Sequence, residues 1–324
     1  MTLEALAAGV MLAALIAYAL LGGADFGGGV WDLLSRGPRA ADQRRQIAHA
    51  IGPVWEANHV WLIFLIVLLF TCFPRAYASV SIALFWPLHL VLVGIVLRGA
   101  AFVFRAYGSP ASTVQAAWSR VFGAASAVTP VLLGICLGAV STGRLRSPLE
   151  PFPLLTGVLA LLLCAYLAAV YLAWESDPPL QDDFRRRAIV TWLMAGVASL
   201  LLLIAARSEA PHLWRGLTTT PASLLVLGGV LIAPASALSL WRRQFAWARI
   251  LGGGQVTVLL LGWAAAQAPY LIYPDLTISS AAAPRATLAA ATATLPVGLA
   301  LLLPSLWYLF SVFKGRAPDS PDRA

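Results

Sequence analysis

The chain has 324 residues, of which 60% are hydrophobic and 11% are charged, and its formal net charge is +8. Soluble globular domains are typically about 25% charged, so this composition excludes an ordinary soluble enzyme. Runs of about 20 apolar residues recur along the whole length, as a hydrocarbon core about 30 Å thick requires. The alternating segments of about ten residues that are typical of a membrane β-barrel are absent from the sequence. We therefore predict an all-α polytopic membrane protein.

Nine apolar segments are predicted to cross the membrane. They are residues 4–22, 51–72, 79–103, 121–142, 153–174, 188–206, 222–240, 249–268 and 286–313. Because the loops between them are short, we predict a single transmembrane domain over residues 1–313, followed by a polar cytoplasmic tail over residues 314–324. The first segment lacks a basic flank, and its apolar run is too long for a signal peptide, so we expect a retained first helix.

Basic residues are distributed unequally between the two sets of loops. With the N-terminus outside, fifteen of them lie in the odd-numbered loops and the C-terminal tail, and six lie in the other loops. Cytoplasmic loops carry the excess of Lys and Arg in membrane proteins. This pattern predicts a multi-pass protein with its N-terminus outside and its C-terminus in the cytoplasm. The positive charge then faces an anionic lipid surface, so it gives no reason to expect nucleic acid as a partner.

The first candidate site is a glycine-rich stretch, Gly22 to Leu34, which follows the first predicted span. Its sequence places five glycines around Asp25. Glycine permits positive φ and close backbone approach, but the stretch follows a helix and lacks the lysine of a phosphate-binding loop. Two interpretations remain. The stretch is either a tight junction between helices, in which Asp25 binds loop amides, or it places Asp25 on a polar path at the cytoplasmic side.

The second candidate site is the start of the second predicted span. Its first turns carry Trp55, Glu56, Asn58, His59 and Trp61. A carboxylic acid in such a helix costs roughly 2.5 to 3.5 kcal/mol at the helix centre, and less near the interface, unless it is paired, hydrated or protonated. We therefore expect Glu56 to lie on an ion or proton pathway. The alternative is that Glu56 reaches the membrane interface or pairs with Arg98 in a purely structural role.

The third candidate is Arg98, which lies inside the third predicted span. A guanidinium group stays charged in proteins and needs a partner at this depth. Glu56 and Asp25 are the nearest candidates by their predicted depth from the cytoplasmic side. The alternative is that the long side chain extends to the membrane surface.

The histidines give little support for a haem site in this chain. A haem in a helical membrane protein needs axial ligands that face each other across helices. His49 and His212 lie outside the predicted core, which leaves His59 and His89, with Met194 as the only methionine in a later span. Roles in helix packing or at the interface are the simpler explanation. The three cysteines have neither metal nor disulfide spacing, so we expect no metal site and no active site in this chain alone.

These stretches together resemble subunit II of the cytochrome bd-type quinol oxidases, including the cyanide-insensitive type. The resemblance is carried, in the family's order, by GGADFGGGVWDLL, IGPVWEANHVWL, LRGAAFVFR and PYLIYPDLTISSAAAPRATL. The four stretches extend from the first predicted helix to the last, and the second is the most specific.

The resemblance implies a fold of two four-helix bundles plus one peripheral helix. It also implies that this chain is a haem-free subunit that pairs with a homologous subunit I, which carries two b-type haems, one d-type haem and the quinol site. Such a complex lies in a bacterial or archaeal cell membrane, oxidises quinol, reduces dioxygen to water and takes protons from the cytoplasm. Small single-span subunits are further candidate partners.

The resemblance also implies roles for individual residues. Glu56 corresponds to the acid of a four-residue family motif, which consists of Trp, an acid (Asp or Glu), any residue and Asn. The resemblance implies that this acid lies on a proton path at the subunit interface. Asp25 corresponds to the acid of the pattern that follows the first helix. The residues expected to form or support the path are Glu56, Asp25, Trp55, Asn58, Trp61 and Arg98.

One position departs from the family's pattern. Family members often have an acid two residues before the final arginine of the third stretch, and here that residue is Val103. If that acid admits protons in the family, this chain needs another entrance, for which Asp25, Asp32 and a residue of the partner are candidates.

Glu56 and Arg98 within glycine-containing helices also fit a secondary transporter or channel subunit, which is the alternative function. An assembly protein without a direct proton role is a third possibility.

Overall fold

The computed structural model describes residues 2–51, 55–107, 112–219 and 222–314, and these residues are almost entirely helical. The helices are α1 (Leu3–Leu33), α2 (Ala40–Ile51), α3 (Trp55–Cys72), α4 (Pro74–Ala83), α5 (Phe85–Tyr107), α6 (Ser112–Thr142), α7 (Pro151–Glu175), α8 (Leu180–Glu209), α9 (Pro211–Thr218), α10 (Ala222–Trp241), α11 (Phe245–Gln267), α12 (Ile278–Ala281) and α13 (Arg285–Lys314). Two short antiparallel strands, β1 (Tyr270–Ile272) and β2 (Leu276–Thr277), form a hairpin in the predicted outer loop. Apart from this hairpin, the all-α prediction is confirmed. The predicted polar tail, beyond its first residue, lies outside the described residues.

The long helices form two groups of four. The first bundle consists of α1, α3, α5 and α6, and the second consists of α7, α8, α10 and α11. Helix α7 joins the two bundles through its contacts with α1 and α6. Helix α13 lies at the periphery, since only 6% of its apolar 18-residue stretch is buried. This arrangement confirms the predicted fold of two four-helix bundles plus one peripheral helix.

Eight described helices are long and apolar enough to cross a membrane, and a bent pair raises the number to nine. In this pair, Asn58–Cys72 and Pro74–Ala83 are bent by 118° relative to each other. The predicted start of the third span at residue 79 is therefore wrong, because α5 begins at Phe85. Proline lacks the N–H that would continue a helix, so Pro74 starts a separate helix. At the predicted start of the second span, Ile51 ends α2 and α3 is described from Trp55, and residues 52–54 between them lie outside the described residues.

The glycine-rich stretch is not a junction between helices. Helix α1 continues through it from Leu3 to Leu33, so both the predicted end of the first span at residue 22 and the interpretation as a junction are wrong. A Cβ built on Gly27 would lie 1.9 Å from the carbonyl oxygen of Cys164 in α7, and one built on Gly29 would lie 2.1 Å from the Ser126 Oγ in α6. Small residues allow membrane helices to approach closely. The glycines therefore hold α1 where the two bundles meet.

Buried side-chain hydrogen bonds supplement this close packing. The Trp31 Nε1 in α1 donates to the carbonyl oxygen of Ala165 in α7 at 2.8 Å, which joins the bundles. Within the second bundle, the Tyr166 and Ser236 hydroxyl groups lie 2.5 Å apart. Polar side chains that find partners between helices avoid the cost of leaving such groups unpaired in lipid.

Candidate functional site

Asp25 lies in the interior of the first bundle, on the last third of α1. Its residue is 2% exposed, and Asn58 in α3 is 4% exposed. The Asn58 Nδ2 donates a hydrogen bond to the Asp25 Oδ2 at 2.8 Å. Helix α3 therefore holds the carboxyl group of α1 in one orientation, and two of the predicted site residues lie in direct contact.

Arg98 joins the same group from α5 and is 1% exposed. Its Nη2 donates to the backbone carbonyl oxygen of Asp25 at 3.2 Å, and its Nε donates to the Ser126 Oγ in α6 at 3.2 Å. Its Nη1 lies 3.5 Å from the His59 Nε2. The Phe122 ring centre lies 5.2 Å from the Arg98 Cζ. The side chain therefore binds inside the bundle, and the alternative in which it extends to the membrane surface is wrong.

A second acid and arginine pair lies nearer the end of α1. Asp32 is 1% exposed, and it accepts hydrogen bonds from both terminal nitrogens of Arg105 at 3.1 and 3.2 Å. The Arg105 Cζ lies 5.2 Å from the centre of the Phe122 ring. The Arg44 guanidinium in α2 donates to the carbonyl oxygens of Asp32 and Ser35, at 3.4 and 3.2 Å respectively. Bidentate pairing of this kind is among the stronger polar contacts in proteins.

The two pairs repeat with the same spacing. Seven residues separate Asp25 from Asp32 in α1, and seven separate Arg98 from Arg105 in α5. Seven residues make about two helical turns, so each pair of like residues shares a face, with a rise of about 10 Å. We call Asp25 and Arg98 the deep rung, and Asp32 and Arg105 the edge rung. Phe122 of α6 contacts the guanidinium groups of both rungs.

In the sequence, Asp32 is a candidate only as one possible entrance, and no motif identifies Arg105. The matched spacing of two acids and two arginines is the signal that could have revealed the edge rung. Phe122 and Ser126 could not have been found in this way, because neither belongs to a polar pattern in the sequence.

The remaining predicted site residues belong to α3. Glu56 and Trp55 lie in its first turn, but their side chains lie outside the described residues. Trp61 is partly buried, and its Nε1 has no hydrogen-bond acceptor among the described side chains and backbone. The structure thus brings together Asp25, Asn58 and Arg98, and it does not join Trp61 to them by a hydrogen bond.

The two histidines considered as haem ligands occupy different surroundings. The His59 ring packs inside the first bundle, with its centre 6.0 Å from that of Tyr18 and 5.8 Å from that of Phe26. His89 is exposed, and its Nδ1 lies 2.8 Å from the carbonyl oxygen of Phe85. The two rings therefore do not face each other. Within the described ranges, no group of three or more His, Cys, Asp or Glu side chains could hold a metal ion.

Val103 faces away from both rungs. The residue is 45% exposed, whereas Arg105, two residues later, binds Asp32 inside the bundle. The position at which the resembled family often has an acid therefore lies on the outer surface of this chain.

Comparison with known proteins identifies the family. The family described as cytochrome bd terminal oxidase subunit II matches residues 3–313. A putative cytochrome bd menaquinol oxidase subunit II of Bacillus subtilis (strain 168) is 22% identical over 321 residues, which cover 91% of each chain. The cytochrome bd-I ubiquinol oxidase subunit 2 of Escherichia coli (strain K12) is 28% identical over 210 residues, which cover 59% of this chain and 52% of that one.

A solved structure shows the same fold. A chain of the bd oxidase from Geobacillus thermodenitrificans matches with a TM-score of 0.83 and 24% sequence identity, over 98% of this chain and 100% of that chain. The chain therefore belongs to the cytochrome bd terminal oxidase subunit II family. It is a membrane-embedded subunit of an oxidase, and a second subunit implies a subunit I as its partner. The alternative of a transporter or channel subunit is wrong.

Proposed function

We propose that this chain is the haem-free subunit of a quinol:oxygen oxidoreductase, and that Asp25 carries protons towards the site of oxygen reduction. Similar proteins are named as menaquinol or ubiquinol oxidase subunits, which supports quinol as the substrate of the complex. Reducing dioxygen to water consumes protons inside a medium of low dielectric constant. Electrons that arrive there without compensating protons face a large electrostatic penalty, so a subunit that lines a proton route meets a direct chemical need.

The burial of the deep rung is the observation that carries this proposal. Asp25 and Arg98 are at most 2% exposed among apolar helices. Ionisable residues at such positions are costly and usually mark ion or proton pathways. A carboxylate can accept a proton and release it again, whereas a guanidinium group does not release its own. We therefore assign proton transfer to Asp25, and we assign its positioning to Arg98 and Asn58.

Glu56 is the proposed next carrier. It lies two residues before Asn58, whose side chain holds Asp25, so the start of α3 lies beside the deep rung. The resemblance in sequence supports a position for this acid at the interface with subunit I. Trp55 and Trp61 would support this part of the route.

Subunit I is the proposed carrier of the two b-type haems, the d-type haem and the quinol site. The separate surroundings of His59 and His89 support this assignment. The excess of arginine in the odd-numbered loops supports an N-terminus outside and a C-terminus in the cytoplasm, in the cell membrane of a bacterium or archaeon. In this orientation the edge rung lies towards the cytoplasm, from which the protons would come.

The test is turnover of the complete complex with Asp25→Asn in this chain. The variant is coexpressed with subunit I, and the haems are quantified from the reduced-minus-oxidised spectrum. We expect normal haem content per complex, and a fall in quinol-driven oxygen consumption of about a hundredfold, the usual scale for losing a proton-transferring group. Asp183→Asn is the matched control, because Asp183 in α8 of the second bundle forms a bidentate pair with Arg39, which precedes α2, at 2.6 and 2.9 Å. Normal turnover of an assembled Asp25→Asn complex would reject Asp25 as a carrier.

A further inference from the structure

We infer that Asp32 is the cytoplasmic entrance of the proton route, and that Phe122 closes this route between Asp32 and Asp25. The inference rests on the proposed function of Asp25 as a proton carrier. It assigns an entrance to a chain in which Val103 faces outward, and it assigns a role to an aromatic residue that no polar pattern identifies.

The position of the edge rung supports an entrance. The Asp32 side chain is 2% exposed, whereas the Arg105 side chain that binds it is 20% exposed. Arg105 thus lies at the boundary between the bundle and its surroundings, with the carboxylate immediately behind it. Arg44 and Arg105 are the charged groups that contact Asp32 from α2 and α5. Both arginines therefore lie where the carboxyl group of Asp32 is nearest to the surroundings of the bundle.

The space between the two rungs is closed. Their carboxyl groups lie about 10 Å apart along α1, and proton transfer requires donor and acceptor atoms within about 2.6 to 3.2 Å or a bridging water. Gly29 lies between the two acids, and a Cβ built on it would lie 2.1 Å from the Ser126 Oγ and 3.3 Å from the Phe122 Cε1. Helices α1 and α6 therefore pack directly against each other between the two acids.

Phe122 is placed to control this contact. Its residue is 5% exposed, and its ring centre lies 5.2 Å from the Cζ of Arg98 and 5.2 Å from the Cζ of Arg105. An arginine over an aromatic ring is attracted to the face of that ring, so the arginines of both rungs hold the ring in place. Movement of this one ring would open a passage from Asp32 to Asp25.

The proton step conserves atoms and charge. A proton from cytoplasmic water binds a carboxylate oxygen of Asp32. The proton then passes to a water molecule that has entered beside Phe122, and that water gives a proton to Asp25. Only O–H bonds form and break, and no electron moves.

The test compares single and double variants of the complete oxidase complex. Asp32→Asn should lower quinol-driven oxygen consumption several-fold with normal haem content, and Asp32→Glu should retain most of the activity. Because proton arrival then limits turnover, the rate of Asp32→Asn should fall more steeply as the pH rises, and it should be slowed more by deuterium oxide than the wild-type rate. A purely structural role of Asp32 would lower haem content without these two changes.

The double variant tests Phe122. Removal of the ring should admit water to Asp25 directly, so Asp32→Asn combined with Phe122→Ala should turn over faster than Asp32→Asn alone. If the alanine variant does not assemble, Phe122→Leu provides a second variant that also removes the ring. Phe184→Ala is the matched control, because Phe184 is a buried ring in the second bundle that lies 5.3 Å from the Cζ of Arg187. Combined with Asp32→Asn, it should restore nothing.

Three results would overturn parts of the inference separately. Wild-type turnover and pH dependence in Asp32→Asn, with Asp25→Asn slow, would reject the entrance and leave the proposed function intact. A double variant no faster than Asp32→Asn would reject Phe122 as the closing residue. Normal turnover in Asp25→Asn would reject the proposed function. It would also reject the barrier at Phe122, because that barrier is proposed only for protons on their way to Asp25.

Discussion

The two four-helix bundles of this chain bury different kinds of polar side chain. In the first bundle, Asp25, Asp32 and Arg98 are charged residues that are each at most 2% exposed. In the described part of the second bundle, the buried polar residues are uncharged, namely Thr191, Ser236, Ser239 and Gln267. The ion pair formed by Asp183 lies at the end of the second bundle, where the Arg39 side chain is 48% exposed.

This difference separates what the fold needs from what the function needs. Thr191 and Ser239 donate to carbonyl oxygens one turn back in their own helices, at 2.8 and 2.9 Å, so their burial leaves no charge to be matched. Among the described residues, the second bundle reaches a similar architecture with no charged residue in its fully buried set. Replacing a buried ion pair by apolar residues is often neutral or stabilising. Stability alone therefore does not explain the ion pair of Asp32 and Arg105, which is consistent with the proposed role of the first bundle in proton transfer.

The largest effect should come from the seam that joins the bundles. In Gly27→Ala, the new methyl group would lie 1.9 Å from the carbonyl oxygen of Cys164, where only a backbone shift could accommodate it. We expect little or no assembled complex, as measured by the yield of haem-bearing oxidase purified from membranes. Gly9→Ala is the matched control in the same helix, because a Cβ on Gly9 would meet nothing within 4 Å. Equal yields from the two variants would show that the α1 and α7 contact does not determine assembly.

The next largest effect should come from removing the cation of the deep rung. Arg98→Ala takes away the donor to the Asp25 carbonyl oxygen and to Ser126, and it leaves Asp25 without that cation. Each buried polar group that is left without its partner typically costs about 1 to 3 kcal/mol. We expect a large fall in the thermal unfolding midpoint and in the yield of the complex.

Arg187→Ala in the second bundle should have a much smaller effect. Arg187 is partly exposed, and it donates to the Gln43 Oε1 at 2.7 Å, so water can replace that bond. An Arg98→Ala complex as stable as the Arg187→Ala complex would mean that the deep rung does not require its guanidinium group for folding.

The fold could be predicted from sequence because nine long apolar segments leave few alternatives in a bilayer. The errors occurred where hydropathy carries no information on helix ends. Glycines suggested that α1 ends near residue 22, but their lack of a side chain serves close packing against α7 and α6. Residues 74–83 are also moderately apolar, so the separate short helix that begins at Pro74 merged with the next predicted span.

The candidate site was predictable in part. A charged residue within an apolar segment can be recognised by itself, so the sequence identifies Asp25 and Arg98 as candidates. Their similar predicted depth indicates that they lie close together. Arg105 lies just beyond the third predicted span, among the loop arginines that indicate the orientation of the protein. Its place in the sequence therefore gives no indication that it pairs with Asp32. Phe122 and Ser126 come from α6, whose sequence shows no polar stripe, so only the packing of three helices reveals their contacts with Arg98.

A moderate effect should follow from Asn58→Ala. This change removes the amide that donates to the Asp25 Oδ2 at 2.8 Å, but it keeps both rungs. Losing a hydrogen bond to a charged group typically costs about 1.5 to 3 kcal/mol. We expect a clear fall in turnover, because the orientation of Asp25 changes. The thermal unfolding midpoint should fall only slightly, because the packing of the helices persists. Turnover at the wild-type level would show that Asn58 does not position Asp25.

The smallest effect should come from Tyr166→Phe, which tests the uncharged interior of the second bundle. Tyr166 and Ser236 are at most 1% exposed, and their hydroxyl groups lie 2.5 Å apart. The change removes one neutral hydrogen bond, which contributes about 1 kcal/mol to stability. A serine in a helix can instead donate to a carbonyl oxygen of its own preceding turn, so the Ser236 hydroxyl group has a ready substitute partner. We therefore expect a slightly lower thermal unfolding midpoint and unchanged quinol-driven oxygen consumption. If oxygen consumption fell as far as it does in Asn58→Ala, the second bundle would also take part in the reaction, and the division between a charged functional bundle and an uncharged supporting bundle would be wrong.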